Sequence, residues 1–170
     1  TLAWLRRLMS MKQILVMMAV VVVVGCEDES IGGYVAASSF SKKGFAKNRK
    51  EALALRGKAL KVWGYVDGGN VFPKDSDHNH RLPETWGFKL KAKPNDQVGQ
   101  SFPIIIPADD GHDKLAALFW ANHLAGKPTR VFVTGTISTF EAPMNFVTKT
   151  GLVMKLNSSK DISLKTPTKE

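Results

Sequence analysis

Hydrophobic and polar positions change rhythm several times along the chain. Residues 14–24 form an unbroken apolar run. Residues 26–41 start acidic, then turn rich in Gly, Ala and Ser with no apolar period, and read as a flexible tether. Between 41 and 55, Phe45, Ala52 and Leu55 make a sparse stripe among Lys42, Lys43, Lys47, Arg49 and Lys50, and predict a short helix. This basic helical lead-in is placed at 42–56.

From Gly57 onward the period becomes two. Leu60, Val62, Gly64 and Val66 alternate with Lys61, Trp63 and Tyr65, which predicts a first strand. Asp67-Gly68-Gly69-Asn70 reads as a turn, followed by a long polar loop through Pro73, Asp75, Asp77 and Pro83. Trp86, Phe88, Leu90 and Ala92 alternate with Gly87, Lys89, Lys91 and Lys93 in a second strand that Pro94-Asn95-Asp96 ends. Residues 102–106, with Pro103 and Pro107, predict a short third strand near a sheet edge.

Residues 109–125 predict a helix. Asp109, Asp110 and Asp113 suit its N-terminus and Gly126 its C-cap. Leu115, Leu118 and Phe119 form one apolar set; Ala117, Trp120, Ala121 and Leu124 form another. The combined face predicts burial on more than one side. Val131, Val133, Gly135 and Ile137 make a fourth strand, and Leu152, Met154 and Leu156 a fifth. The tail at 166–170 is expected to fray.

Strand, strand, strand, helix, strand, strand resembles the OB-fold, a five-stranded Greek-key barrel with one helix between strands three and four. The stretches Gly57-Lys58-Ala59-Leu60-Lys61-Val62-Trp63-Gly64-Tyr65-Val66 and Gly126-Lys127-Pro128-Thr129-Arg130-Val131-Phe132-Val133-Thr134-Gly135-Thr136-Ile137 resemble that family's first and fourth strands. The expected class is therefore mainly β: an OB-fold barrel at 57–165, plus an N-terminal helix. The chain resembles small exported OB domains of the tRNA-anticodon-like type, many of which are lipoproteins with no assigned activity. The loop between strands one and two departs from that pattern, being longer and richer in Asp and His. The fold carries no activity by itself.

Arg6, Arg7 and Lys12, then the apolar run, then Gly25 and Cys26 have the layout of an export signal at 1–25. The run is 11 residues long, against about 20 for a spanning helix. Val23-Val24-Gly25-Cys26 resembles the lipobox of bacterial lipoproteins. The resemblance implies acylation of Cys26, the only cysteine, and anchoring in the envelope through several acyl chains. Loss of Arg6, Arg7 and Lys12 takes the net charge from +9 to +6, still basic, which favours anionic partners. From Lys42 to Lys61 there are eight basic residues and one acid, Glu51. This run suits a solvated helix or a collar near anionic headgroups.

If Val62 and Phe88 point inward, Trp63, Tyr65, Lys89, Lys91 and Lys93 point outward as the candidate ligand face. Aromatics beside a basic row also suit single-stranded nucleic acid, though an envelope location disfavours that partner. Asp75, Asp77, His78 and His80 have residue types that could ligate a metal, but an ordinary hydrated turn is the preferred reading. As a calcium loop the stretch fails, with His80 at the glycine position and Trp86 at the final glutamate. No Ser/His/Asp order, phosphate loop or carboxylate pair stands out. The expectation is a binding module without cofactor, recognising an envelope protein or an anionic polymer, rather than an enzyme; a nucleic-acid-binding OB domain is the alternative, and a metal-dependent enzyme using the His/Asp loop ranks last.

Overall fold

The computed structural model describes residues 30–41, 49–74, 84–96, 101–144 and 147–168. The protein is mainly β, and the described residues place seven strands in one sheet. In chain order the elements are β1 (Val35–Ala36), a one-turn α1 (Ser38–Ser41), α2 (Arg49–Leu55), β2 (Ala59–Phe72), β3 (Thr85–Lys91), β4 (Phe102–Pro107), α3 (His112–Leu124), β5 (Arg130–Met144), β6 (Val147–Lys155), a 3-10 turn (Ser159–Asp161) and β7 (Ile162–Ser163).

Two long strands change partner midway. β2 pairs antiparallel with β5 from Ala59 to Tyr65, then with β3 from Tyr65 to Phe72. β5 pairs with β2 up to Thr136 and with β6 beyond it. With β3–β4 antiparallel and β4–β6 parallel, the ladders run β2–β3–β4–β6–β5 and back to β2. Each switch carries a glycine. A Cβ on Gly64 would lie 2.9 Å from the Lys91 carbonyl, and one on Gly135 would lie 2.6 Å from the Lys155 carbonyl. The backbones approach there more closely than any side chain allows, and that closeness lets one strand serve two partners.

The period-2 pattern fills the space the strands enclose. Val62, Trp86, Phe88, Leu90, Phe102, Ile104, Ile106, Val131, Val133, Ile137, Leu152 and Met154 share one buried core. Burial of such side chains contributes about 25 cal/mol per Å² of apolar area, the dominant favourable term for a fold without cross-links.

Several expectations change. Asp67-Gly68-Gly69-Asn70 is no chain reversal: β2 continues through it, and the register to β3 shifts between Val66 and Val71. Asp, Gly and Asn suit a bulge for the same backbone reasons that they suit a turn. β4 is not near an edge, since it pairs with β3 on one side and β6 on the other; its parallel ladder uses only Ile104 and Ile105, between the two prolines. The region read as tether folds from Ile31: β1 runs parallel to β2, and Ala37 and Phe40 join the core. Of the tail, Thr166 accepts a bond from Arg130 Nη2 at 3.0 Å. Cys26 and residues 42–48 lie outside the described residues.

α3 buries only Phe119 fully, with Leu115 and Ala116 packed beside it. Leu118, Trp120 and Leu124 are exposed, so the helix seals the core with one stripe, and among the described residues no layer covers a second side. Its start is held by Asp109. One carboxylate oxygen accepts from the Gly111 amide at 3.1 Å and the other from the Ser159 amide at 2.6 Å, tying the helix to the 3-10 turn. Gly126 adopts φ +65°, and its amide bonds the His123 carbonyl to close the helix.

Burial pushes the Asp109 carboxyl up. The Ser159 and Gly111 bonds and the nearby His112 outweigh it, so the group sits below the ordinary carboxylate range. The Ser159 amide is the firm donor; the Ser159 hydroxyl lacks good hydrogen-bond geometry. A depressed folded pKa means stability present above about pH 4 and lost as pH falls through the folded value. Urea midpoints read by circular dichroism should therefore drop on acidification below pH ~4, and Asp109→Asn should flatten that drop. Solvent screening keeps the effect under about 1 kcal/mol.

Candidate functional site

Tyr65 faces away from the core, opposite Lys91 in the β2–β3 register. Beside them the chain leaves an open groove of about 530 Å³, lined by Tyr65, Val66, Gly68, Lys91, Pro94, Asn95, Phe119, His123 and residues 126–129. That volume falls within the range of small-ligand sites. Its walls come from the β2 bulge, the exit of β3 and the C-terminal end of α3. Phe119, fully buried, forms the floor.

The bulge and the helix fit closely. A Cβ on Gly68 would collide with the His123 side chain, so glycine lets the helix end settle against β2. Thr129 is spent on structure: its carbonyl accepts from the Val66 amide at 2.8 Å and its hydroxyl from Asn122 Nδ2 at 2.9 Å. Lys91 Nζ lies 3.2 Å from Asp67 Oδ1, and Asn70 Nδ2 donates to Asp67 Oδ2 at 2.8 Å. Asp67 thus neutralises Lys91 within the wall. Lys127 is exposed on the rim, and among the described residues no hydrogen bond or ion pair engages its ammonium group.

Of the five residues expected to form a ligand face, the structure brings Tyr65 and Lys91 together in this groove. Lys89 Nζ sits 5.8 Å from the Phe72 ring centroid, outside the groove lining. Lys93 is exposed, and its amide donates to Asp96 Oδ2 at 2.8 Å. Trp63 is only 7% exposed. It packs with Ala36 and Phe132, bordered by Ile31, Tyr34 and Tyr65. It points away from the main core as expected, but the N-terminal segment covers it, so it offers no open stacking surface.

No family model matches the chain, and no curated protein matches it. Two solved structures that it matches are distant. An OBody, AM3L09, bound to hen egg-white lysozyme is 14% identical, with 62% of this chain and 88% of that chain covered, at a TM-score of 0.35. An aspartyl tRNA synthetase from Entamoeba histolytica is 12% identical over 73% of this chain, at a TM-score of 0.39. The match spans 22% of the synthetase chain.

Asp75, Asp77, His78 and His80 lie outside the described residues. Among the described residues no group of three or more His, Cys, Asp or Glu is placed to hold a metal. Nor is any described helix long and apolar enough to cross a membrane. Lys127 and His123 were missed as groove residues from sequence. The Gly126 cap that turns the chain beside them was legible, but not which strand they would face.

Proposed function

We propose that this chain is a lipid-anchored binding module of the bacterial envelope, built on an OB-fold barrel and acylated at Cys26. Its groove receives an anionic group carried by a protein or polymer partner, and the chain is not an enzyme. The pairing order supports the fold reading. Three antiparallel strands, a helix, and two further strands that close back on the first have the Greek-key arrangement of that barrel.

The groove carries the functional reading. Tyr65 supplies ring surface, and Lys127 supplies a cation at the rim that no described residue engages. The acid beside the groove, Asp67, is buried and already occupied by Lys91 and Asn70. The described residues that line the groove include no acid, so a carboxylate-bearing ligand meets attraction there. The nucleic-acid alternative loses its best stacking platform with Trp63 covered.

Titration calorimetry of the full chain in neutral detergent, with polyglutamate as probe, tests the reading. Binding should weaken with salt, and Lys127→Glu should lower affinity by about fivefold to tenfold, as a rim charge reversal does. Unchanged affinity in that variant rejects the groove. Preference for single-stranded oligonucleotide over polyglutamate, with steep salt dependence, transfers the assignment to nucleic acid.

A further inference from the structure

Among the described residues that line the groove, His123 alone is of a type that changes charge between pH 5 and 8. It stands in the last turn of α3, and two contacts fix its place. The side chain lies against the β2 bulge, where a Cβ on Gly68 would come 2.8 Å from Nδ1. Its ring also meets Trp120, with centroids 5.8 Å apart. Among the described residues neither ring nitrogen has a hydrogen-bond partner.

We infer that His123 is a proton-controlled contact of the groove. Protonated, it joins Lys127 in holding the carboxylates of the ligand, and binding strengthens as pH falls from about 8 to about 6. The inference rests on the reading of the groove as an anion site.

The charges around the ring leave this contact to the ligand. β2 brings Tyr65 and Asp67, and Asp67 is buried and taken by Lys91 at 3.2 Å and Asn70 at 2.8 Å. β3 brings Lys91, held in that pair. The linker brings Lys127. The last turn of α3 adds no other charge, since Trp120, Ala121, Asn122 and Leu124 are neutral. In the segment after β3, Lys93 and Asp96 stand outside the groove lining, with the Lys93 amide donating to Asp96 Oδ2. An incoming carboxylate therefore becomes the partner that favours the charged imidazole. Binding and protonation are then linked, and the link is reciprocal. Protons tighten the ligand, and the ligand holds the proton.

Titration calorimetry of the full chain with polyglutamate at about pH 8 and about pH 6 tests the inference. The probe keeps its charge over this window, because glutamate carboxyls titrate near pH ~4.3. Wild type should bind about threefold to fivefold more tightly at the lower pH. His123→Gln should give equal affinity at the two values. His123→Lys should bind as strongly at the higher pH as at the lower. His112→Gln should keep the wild-type rise. That ring is engaged at the other end of α3, its Nδ1 2.7 Å from the Asp109 carbonyl and its Nε2 2.8 Å from Asp113 Oδ1. Near neutral pH, saturating polyglutamate should move the His123 ring-proton resonance toward its acid-limit position. Circular dichroism checks that each variant is folded.

A flat wild-type profile, a rise that survives in His123→Gln, or an unmoved resonance overturns the inference. The fate of the groove is read separately. Binding that ignores pH but weakens in Lys127→Glu rejects His123 and keeps the anion site. Absence of polyglutamate binding at either pH rejects both.

Discussion

Phe119→Ala should lower the unfolding free energy by about 3–5 kcal/mol, the usual cost of truncating a buried ring in a core that cannot fully collapse. The corresponding fall in melting temperature is about 10 °C for a chain of this size. Phe119 is the one fully buried side chain of α3, and its ring meets Phe88 edge-on at 5.1 Å and Trp86 at 6.3 Å. Both partners belong to β3 and point into the space the strands enclose. The helix is therefore attached through one ring, assisted by Leu115 and Ala116. Trp120→Ala, one position further on, is the control. It removes a larger side chain from a half-exposed site, so the change should stay within about 0.5 kcal/mol, as surface substitutions usually do. Urea unfolding of the pair decides the matter. Equal losses would mean that the outer stripe is covered in solution and that helix burial was misassigned.

That contrast also explains how far the sequence could be read. Alternation over 60–66 and 86–92 reports which side chains share a face, because the pleat enforces a period of two. The buried and outward sets on β3 accordingly fall where the pattern places them. A helical stripe reports only that a face is apolar. Whether anything covers it depends on layers elsewhere in the chain, and the described residues give α3 one such layer, not two.

The same limit hid the role of residues 31–36. Ile31, Tyr34 and Ala36 have no period of their own. They matter because Trp63 and Phe132 present an apolar outer patch from β2 and β5 that they can cover. Tyr34 meets Phe132 edge-on at 5.3 Å, a pairing between residues almost a hundred positions apart. The groove is non-local in the same way. It joins the bulge at Gly68, the β3 exit at Lys91 and the linker at Lys127, and only Tyr65 and Lys91 could be grouped from strand pattern alone.

Lys91→Met should cost about 3–5 kcal/mol, because it strands a buried carboxylate. Asp67 is 3% exposed at its side chain and retains only the Asn70 amide once the lysine is gone. Asp67→Asn should cost less. Lys91 is 16% exposed at its side chain and lines the groove, so its ammonium can turn toward water when its partner is neutral. The double variant should recover most of the loss, since two neutral groups of similar volume leave no unpaired charge. A coupling energy of about 2 kcal/mol or more from this cycle identifies Lys91 as the brace that holds the β2 bulge against the end of β3. A loss below about 1 kcal/mol for Lys91→Met would mean that the pair is well solvated. Lys91 would then be available to a ligand in the groove beside Lys127. The cycle therefore separates two roles for one lysine, and the burial of Asp67 favours the brace.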